Sequence, residues 1–101
     1  MRACSLTELP EEGALKVHLD GRDICVARSH GTVYAIGDTC SHADVSLSEG
    51  DVEDGTIECW LHGSRFDLRT GAPIGLPATK SVPTYPVTVI GDDVFLKLEK
   101  K

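Results

Sequence analysis

The chain has 101 residues, a formal charge of −6, 41% hydrophobic and 26% charged residues. That length holds one domain, the acidic balance argues against nucleic acid as a partner, and the apolar fraction is that of a globular protein. No apolar run nears the roughly 18 residues of a membrane span, and the first ten residues lack the apolar core of a secretory leader; the expectation is a soluble protein of the cytoplasm.

Taken in chain order, the first clear pattern runs from Ala14 to Ile36. Leu15, Val17 and Leu19 alternate with Lys16, His18 and Asp20, the period of a half-buried strand. Asp20-Gly21 predicts a tight hairpin, Ile24 and Val26 continue on the next strand, and Ser29-His30-Gly31 predicts a second turn before Thr32–Ile36. From Asp38 to about Ala78 the texture changes to Gly, Ser, Asp and Pro with short apolar pieces such as Thr56–Cys59. Within it, Asp67 followed by Thr70-Gly71 predicts a tight turn in which side-chain oxygens accept from backbone amides. Tyr85, Val87 and Val89 then alternate, Gly91-Asp92-Asp93 turns the chain, and Val94, Leu96 and Leu98 return. No amphipathic helix is evident, and the five prolines fall between strands or at their edges. The expected fold class is all-β: an antiparallel sandwich or barrel scaffold forming one domain, 1–101, with a loop-rich subdomain inserted at about 38–78.

Four cysteines carry most of the functional information. A reducing compartment argues against two disulfides. Cys25, within Ile24–Ala27, reads as a small buried hydrophobe, and Cys4 likewise as structural. Cys40-Ser41-His42 and Cys59-Trp60-Leu61-His62 differ from these in that each sets one thiol beside one imidazole. Two cysteines with two histidines can hold zinc, as in a structural interaction module. They can also hold a binuclear iron–sulfur cluster, with both thiolates on one iron and both imidazoles on the other. Zinc spacings usually pair like with like, whereas here each pair is mixed and Cys40-x-His42 is short. The mixing favours the binuclear reading, in which each loop reaches both irons. His18 and His30 stand apart and read as surface residues. The acidic run Glu49, Asp51, Glu53 and Asp54 reads equally as a complement to a basic partner and as a solvated loop.

The neighbouring residues carry a family resemblance. Cys40-Ser41-His42-Ala43-Asp44-Val45-Ser46-Leu47-Ser48-Glu49-Gly50 resembles the first cluster loop of Rieske proteins, and Cys59 through Gly71 resembles the second. Gly75-Leu76-Pro77-Ala78 resembles the proline-containing loop that covers the cluster in that family. The resemblance spans most of the chain and implies one [2Fe–2S] cluster with Cys40, His42, Cys59 and His62 as ligands. High-potential members have a further cysteine in each loop and a tyrosine that hydrogen-bonds a ligand sulfur; this chain has Val45, Leu61 and Phe66 there, and retains Ser64. Fewer donors to sulfur disfavour the reduced cluster, so the expected potential lies near the low end of the Rieske range, about −150 mV.

These departures are similar to the Rieske-type ferredoxins of bacterial aromatic-ring-hydroxylating dioxygenase systems. That resemblance implies a one-electron carrier, not an enzyme, that docks transiently with a flavoprotein reductase and a terminal non-haem iron oxygenase and works as a monomer. It implies electron passage at the histidine-bound iron. Trp60, between ligands, is a candidate docking surface or a packing residue. A ferredoxin of Fe–S cluster assembly shares the same features. A nitrite reductase small subunit shares the fold, but often lacks the ligands present here.

Overall fold

Two-residue turns set most of the strand register. The computed structural model describes residues 2–40, 45–60, 63–74 and 80–97. Asp20 and Gly21 both take positive φ (52° and 76°), as do His30 and Gly31 (52° and 81°), which is what a tight type I′ hairpin demands of both central residues. They join β2 (Gly13–Leu19), β3 (Arg22–Ser29) and β4 (Thr32–Gly37) into an antiparallel meander, to which β9 (Thr84–Tyr85) adds beside β4. Asp54 and Gly55 repeat the same conformation (52° and 76°), so the end of the acidic run is itself a hairpin turn.

That third hairpin joins β5 (Val52–Glu53) to β6 (Thr56–Glu58), and β7 (Arg65–Asp67) and β8 (Pro73–Ile74) complete a second four-stranded sheet in the order β5-β6-β7-β8. The loop-rich middle is therefore more regular than its composition implies. Pro73 lies on the edge strand β8, where a missing N–H does least harm. A third sheet has the order β1-β11-β10, from β1 (Arg2–Ser5), β10 (Val87–Ile90) and β11 (Asp93–Leu96). The described helical segments are two single 3-10 turns, Leu6–Glu8 and Leu47–Glu49; the first is held by a Ser5/Glu8 capping box.

The meander sits between two apolar cores. Ile24, Cys25, Val26 and Ala27 of β3 are all fully buried, yet alternate side chains leave a strand on opposite faces. Ile24 and Val26, with Ala35, pack among Cys4, Leu9, Val94 and Leu96. Cys25 and Ala27, with Ile36, pack among Leu47, Val52, Ile57, Phe66 and Leu68. One sheet thus backs two others. Among the described residues the predicted alternation fails at Val89, which is exposed, not inward, beside Ile90 at 63% exposure; Leu98 lies outside the described residues. β10 is an edge strand, and within it only Val87 reaches a core.

Candidate metal centre

Cys40 and Cys59 begin two loops with the same backbone closure. The N–H of Cys40 donates to the carbonyl of Val45 (3.0 Å), and the N–H of Cys59 donates to the carbonyl of Ser64 (2.6 Å), so each bond closes a loop five positions on. Around the first loop the chain is pinned by a Thr39–Ser46 antiparallel bridge and by the Leu47 N–H to the Asp38 carbonyl (2.6 Å). The second loop continues the β6–β7 ladder, in which Glu58 faces Arg65. Gly63, at φ +78°, donates to the Cys59 carbonyl (2.8 Å). Each of the two predicted cysteine ligands therefore stands at the neck of a loop, braced by a sheet.

Both thiols face the same interior. Cys40 is 3% exposed and Cys59 fully buried, and they share the core of Cys25, Leu47, Ile57 and Phe66. None of the four cysteines forms a disulfide. Ser64 is also fully buried. Val45 packs against this core, and Phe66 brings no hydroxyl to it. The other two predicted ligands, His42 and His62, lie outside the described residues, as do Leu61 and the Gly75–Ala78 segment. Among the described residues no group of three or more His, Cys, Asp or Glu is placed to hold a metal. Two buried, unbridged thiols on adjacent loops in an apolar core fit a soft, thiolate-bound iron.

Cys4 and Cys25 are buried structural thiols, as the sequence predicts. Burial pushes the Cys25 thiol far up from its ordinary value, and the negative charge of Asp38 adds to this. Burial also raises Cys4, with Glu8 reinforcing and Arg2 opposing. His18 and His30 are exposed as expected, but each has a carboxylate partner: Asp23 at 2.6 Å and Asp54 at 2.9 Å. The acidic run is likewise partly matched, since Glu53 pairs with Arg65 (3.5 Å), which also meets Glu58 (3.6 Å). Trp60 is half exposed.

The predicted turn at Asp67–Ala72 forms as its residues dictate. Asp67 Oδ1 accepts from the Arg69 amide (2.8 Å) and Thr70 Oγ1 from the Ala72 amide (3.2 Å). Gly71 sits at φ +77°, and a Cβ there would lie 2.2 Å from the Val82 carbonyl.

Two contributions are invisible in the sequence. Gly50 lets the segment after the first loop cross the strand before the second: its backbone lies so near Glu58 that a Cβ would meet the Glu58 carbonyl at 1.6 Å. Glu12 ties two hairpin turns together. It accepts from Ser29 Oγ (2.5 Å), the His30 amide (3.2 Å) and the Asp54 amide (3.1 Å), while Ser29 Oγ accepts from the Gly55 amide (2.9 Å). Asp54-Gly55 is a readable hairpin signal; nothing in the sequence marks Glu12, and the loop resemblance that ends on Gly50 does not reveal the crossing.

Three antiparallel sheets, with one buried cysteine after β4 and another after β6, define an all-β protein. The chain belongs to the Rieske [2Fe-2S] domain family, whose match covers residues 1–86. It is 44% identical over 97 residues to the 3-phenylpropionate/cinnamic acid dioxygenase ferredoxin subunit of Escherichia coli K12, a match covering 95% of this chain and 91% of that one. Its fold is similar to the ferredoxin of carbazole 1,9a-dioxygenase from Nocardioides aromaticivorans IC177, with a TM-score of 0.90, 38% identity, and 95% and 94% of the two chains covered. It also resembles a chain in a complex of reduced oxygenase and oxidized ferredoxin in carbazole 1,9a-dioxygenase, with a TM-score of 0.92, 32% identity, and 100% and 94% covered. Among the described residues no helix is long and apolar enough to cross a membrane.

Proposed function

We propose that the chain is a soluble, cytoplasmic one-electron carrier of an aromatic-ring dioxygenase system. In this reading it is a single domain, 1–101, whose subdomain at about 38–78 holds one [2Fe–2S] cluster through Cys40, His42, Cys59 and His62. The observation that carries it is the pair of buried, unbridged thiols of Cys40 and Cys59, each heading a loop of the same closure and both in one core. The relatives support the partners: they are named as ferredoxin subunits of dioxygenases, and one structure is of a ferredoxin with its oxygenase. When bound, the cluster supplies a site that accepts and returns one electron at low potential.

The chain's own residues hold and shield that site. The β6–β7 ladder and the Thr39–Ser46 bridge fix the two loop necks. Leu47, Ile57 and Phe66 keep water from the thiols. His42 and His62 complete the ligand set in the loops whose necks the cysteines close, and each imidazole retains one ring nitrogen for a partner contact. Glu49 and Asp51, both exposed, contribute acidic surface near these loops for transient docking of a reductase and then the oxygenase.

Iron and acid-labile sulfide analysis, with electron paramagnetic resonance before and after dithionite, tests the reading. The expected result is two irons and two sulfides per chain, a signal that appears on reduction, and a midpoint of about −150 mV. Each of Cys40→Ser, His42→Ala, Cys59→Ser and His62→Ala should abolish the signal. A colourless protein carrying zinc, or a midpoint above about +100 mV, refutes it.

A further inference from the structure

His30 is hydrogen-bonded to two carboxylates that reach it from separate elements. Its backbone amide donates to Glu12 Oε1 (3.2 Å), in the segment before β2, and its ring Nε2 lies 2.9 Å from Asp54 Oδ1, in the β5–β6 turn. The same Glu12 carboxylate accepts through Oε2 from the Asp54 amide (3.1 Å) and from Ser29 Oγ (2.5 Å), while Ser29 Oγ accepts from the Gly55 amide (2.9 Å). Three segments thus meet: the lead into β2, the β3–β4 turn and the β5–β6 turn. The first two belong to the scaffold meander, the third to the four-stranded sheet β5-β6-β7-β8. Ser29 at the centre is 1% exposed, whereas the His30 and Asp54 side chains are 69% and 78% exposed. The junction has a buried pivot and a clip that faces water.

The clip changes charge near neutral pH. Imidazole titrates near 6.5, whereas carboxylates titrate near 4. Two clefts border His30. Glu11 and Glu12 before β2 and Arg28 on β3 line one; Tyr34 on β4, Asp54, Asp67 on β7 and Arg69 in the turn after it line the other. Among the described residues, then, four carboxylates face two guanidiniums around the ring, a balance that favours the imidazolium. The Asp54 hydrogen bond and then the Glu12 charge raise His30 above its ordinary value, with burial opposing. When the ring loses its proton, the Glu12 and Asp54 carboxylates keep their charges and lose the cation between them, and like charges disfavour closure.

We propose that His30, Glu12 and Asp54 form a proton-dependent clasp that holds the Asp54-Gly55 turn against the scaffold meander when the imidazole is charged and lets it open more often when the imidazole is neutral. The clasp lies beyond the electron-carrier reading and does not depend on what Cys40 and Cys59 hold. What it governs is the mobility of the end of the acidic run, Glu53 and Asp54. A raised imidazole contributes fully below its unfolded value near 6.5, and the contribution is lost as pH rises through the folded value. The turn therefore loosens on the alkaline side.

The test is amide hydrogen exchange of the full chain by NMR from about pH 5.5 to 8, corrected for the intrinsic pH dependence of each amide, with the His30 ring titrated in the same samples. In wild type the protection of the Asp54 and Gly55 amides should fall roughly two- to fivefold across the range, centred on the His30 midpoint. His30→Gln keeps a side-chain donor for Asp54 and should remove this pH dependence at both amides. Asp54→Asn keeps a residue that tolerates positive φ. It should bring the His30 midpoint down toward its ordinary value and shrink the pH dependence, which carries the test should His30→Gln fail to fold. Protection that is flat with pH in wild type, or that falls as far in His30→Gln, overturns the clasp. So does a His30 midpoint that Asp54→Asn leaves unchanged.

Discussion

Gly50→Ala should destabilise this protein far more than its backbone conformation implies. Gly50 has φ −91°, ordinary for any residue, so no conformational strain arises. The obstacle is the Glu58 carbonyl, 1.6 Å from where the new Cβ would sit; ordinary contact begins near 3.4 Å, so the two segments must part by about 1.8 Å (3.4 − 1.6). Both sides are tethered. The Glu58 amide donates to the Asp51 carbonyl (2.8 Å) and the Gly50 amide to the Leu47 carbonyl (2.9 Å). Losing those two bonds costs about 1 kcal/mol each. Parting also opens a void beside fully buried Leu47 and Ile57, at about 24 cal/mol per Å³, so that ~50–80 Å³ adds roughly 1–2 kcal/mol. The sum, about 3–4 kcal/mol, is a large share of the 5–15 kcal/mol typical of a domain. Gly55→Ala is the matched control: φ is +76° but nothing lies within 4 Å of the added Cβ, so about 1 kcal/mol is expected. Urea unfolding followed by circular dichroism should lower the Gly50→Ala midpoint by roughly 2 M and the Gly55→Ala midpoint by less than about 1 M. Because Glu58 adjoins Cys59, iron occupancy should fall in the first variant only. Equal midpoints for the two variants would refute the close-crossing account.

Phe66→Tyr places a hydroxyl in a fully buried position, where an unpartnered group costs about 1–3 kcal/mol. The expected outcome is a more positive midpoint with little loss of stability, because the hydroxyl bonds a ligand sulfur; a loss of stability without a potential shift would show that the bond does not form. The Glu12 carboxyl is held below its ordinary value by its bonds to Ser29, His30 and Asp54, so its contribution is present above about pH 4.5 and is lost as pH falls through its depressed value. Glu12→Gln should flatten the acid side of a melting-temperature profile. The Asp54 hydrogen bond, then Glu12, raises His30 above 6.5, so that contribution is complete below pH 6.5 and disappears as pH rises through the raised value; His30→Gln should flatten the profile there. Trp60→Ala, at a half-exposed site, should change stability by less than about 0.5 kcal/mol, while stopped-flow reoxidation by the oxygenase slows. Unaltered reoxidation would assign Trp60 to packing alone.

The features legible in the sequence act over a few positions. Asp20-Gly21, His30-Gly31 and Gly91 turn the chain where their dihedrals permit positive φ, and the Asp67–Ala72 turn is written in two side-chain oxygens beside the amides they accept from. The Cys–His pairs are legible for the same reason: ligand spacing is local, and both cysteines stand at loop necks within one core. Long-range packing decides the rest. The run Ile24–Ala27 is buried on both faces because one strand divides two cores, a fact its alternation cannot express. Val89 has the pattern of an inward residue, but nothing covers its edge-strand position among the described residues. Gly50 matters through a crossing eight residues away, Glu12 through two turns far along the chain, and Asp38 through the Ser48 amide. The sequence alone determined which residues can turn the chain and where cysteines and histidines stand close together; the tertiary structure decided which backbones cross closely, which carboxyl side chain is buried, and which apolar residue is left uncovered, because these depend on contacts that no local period records.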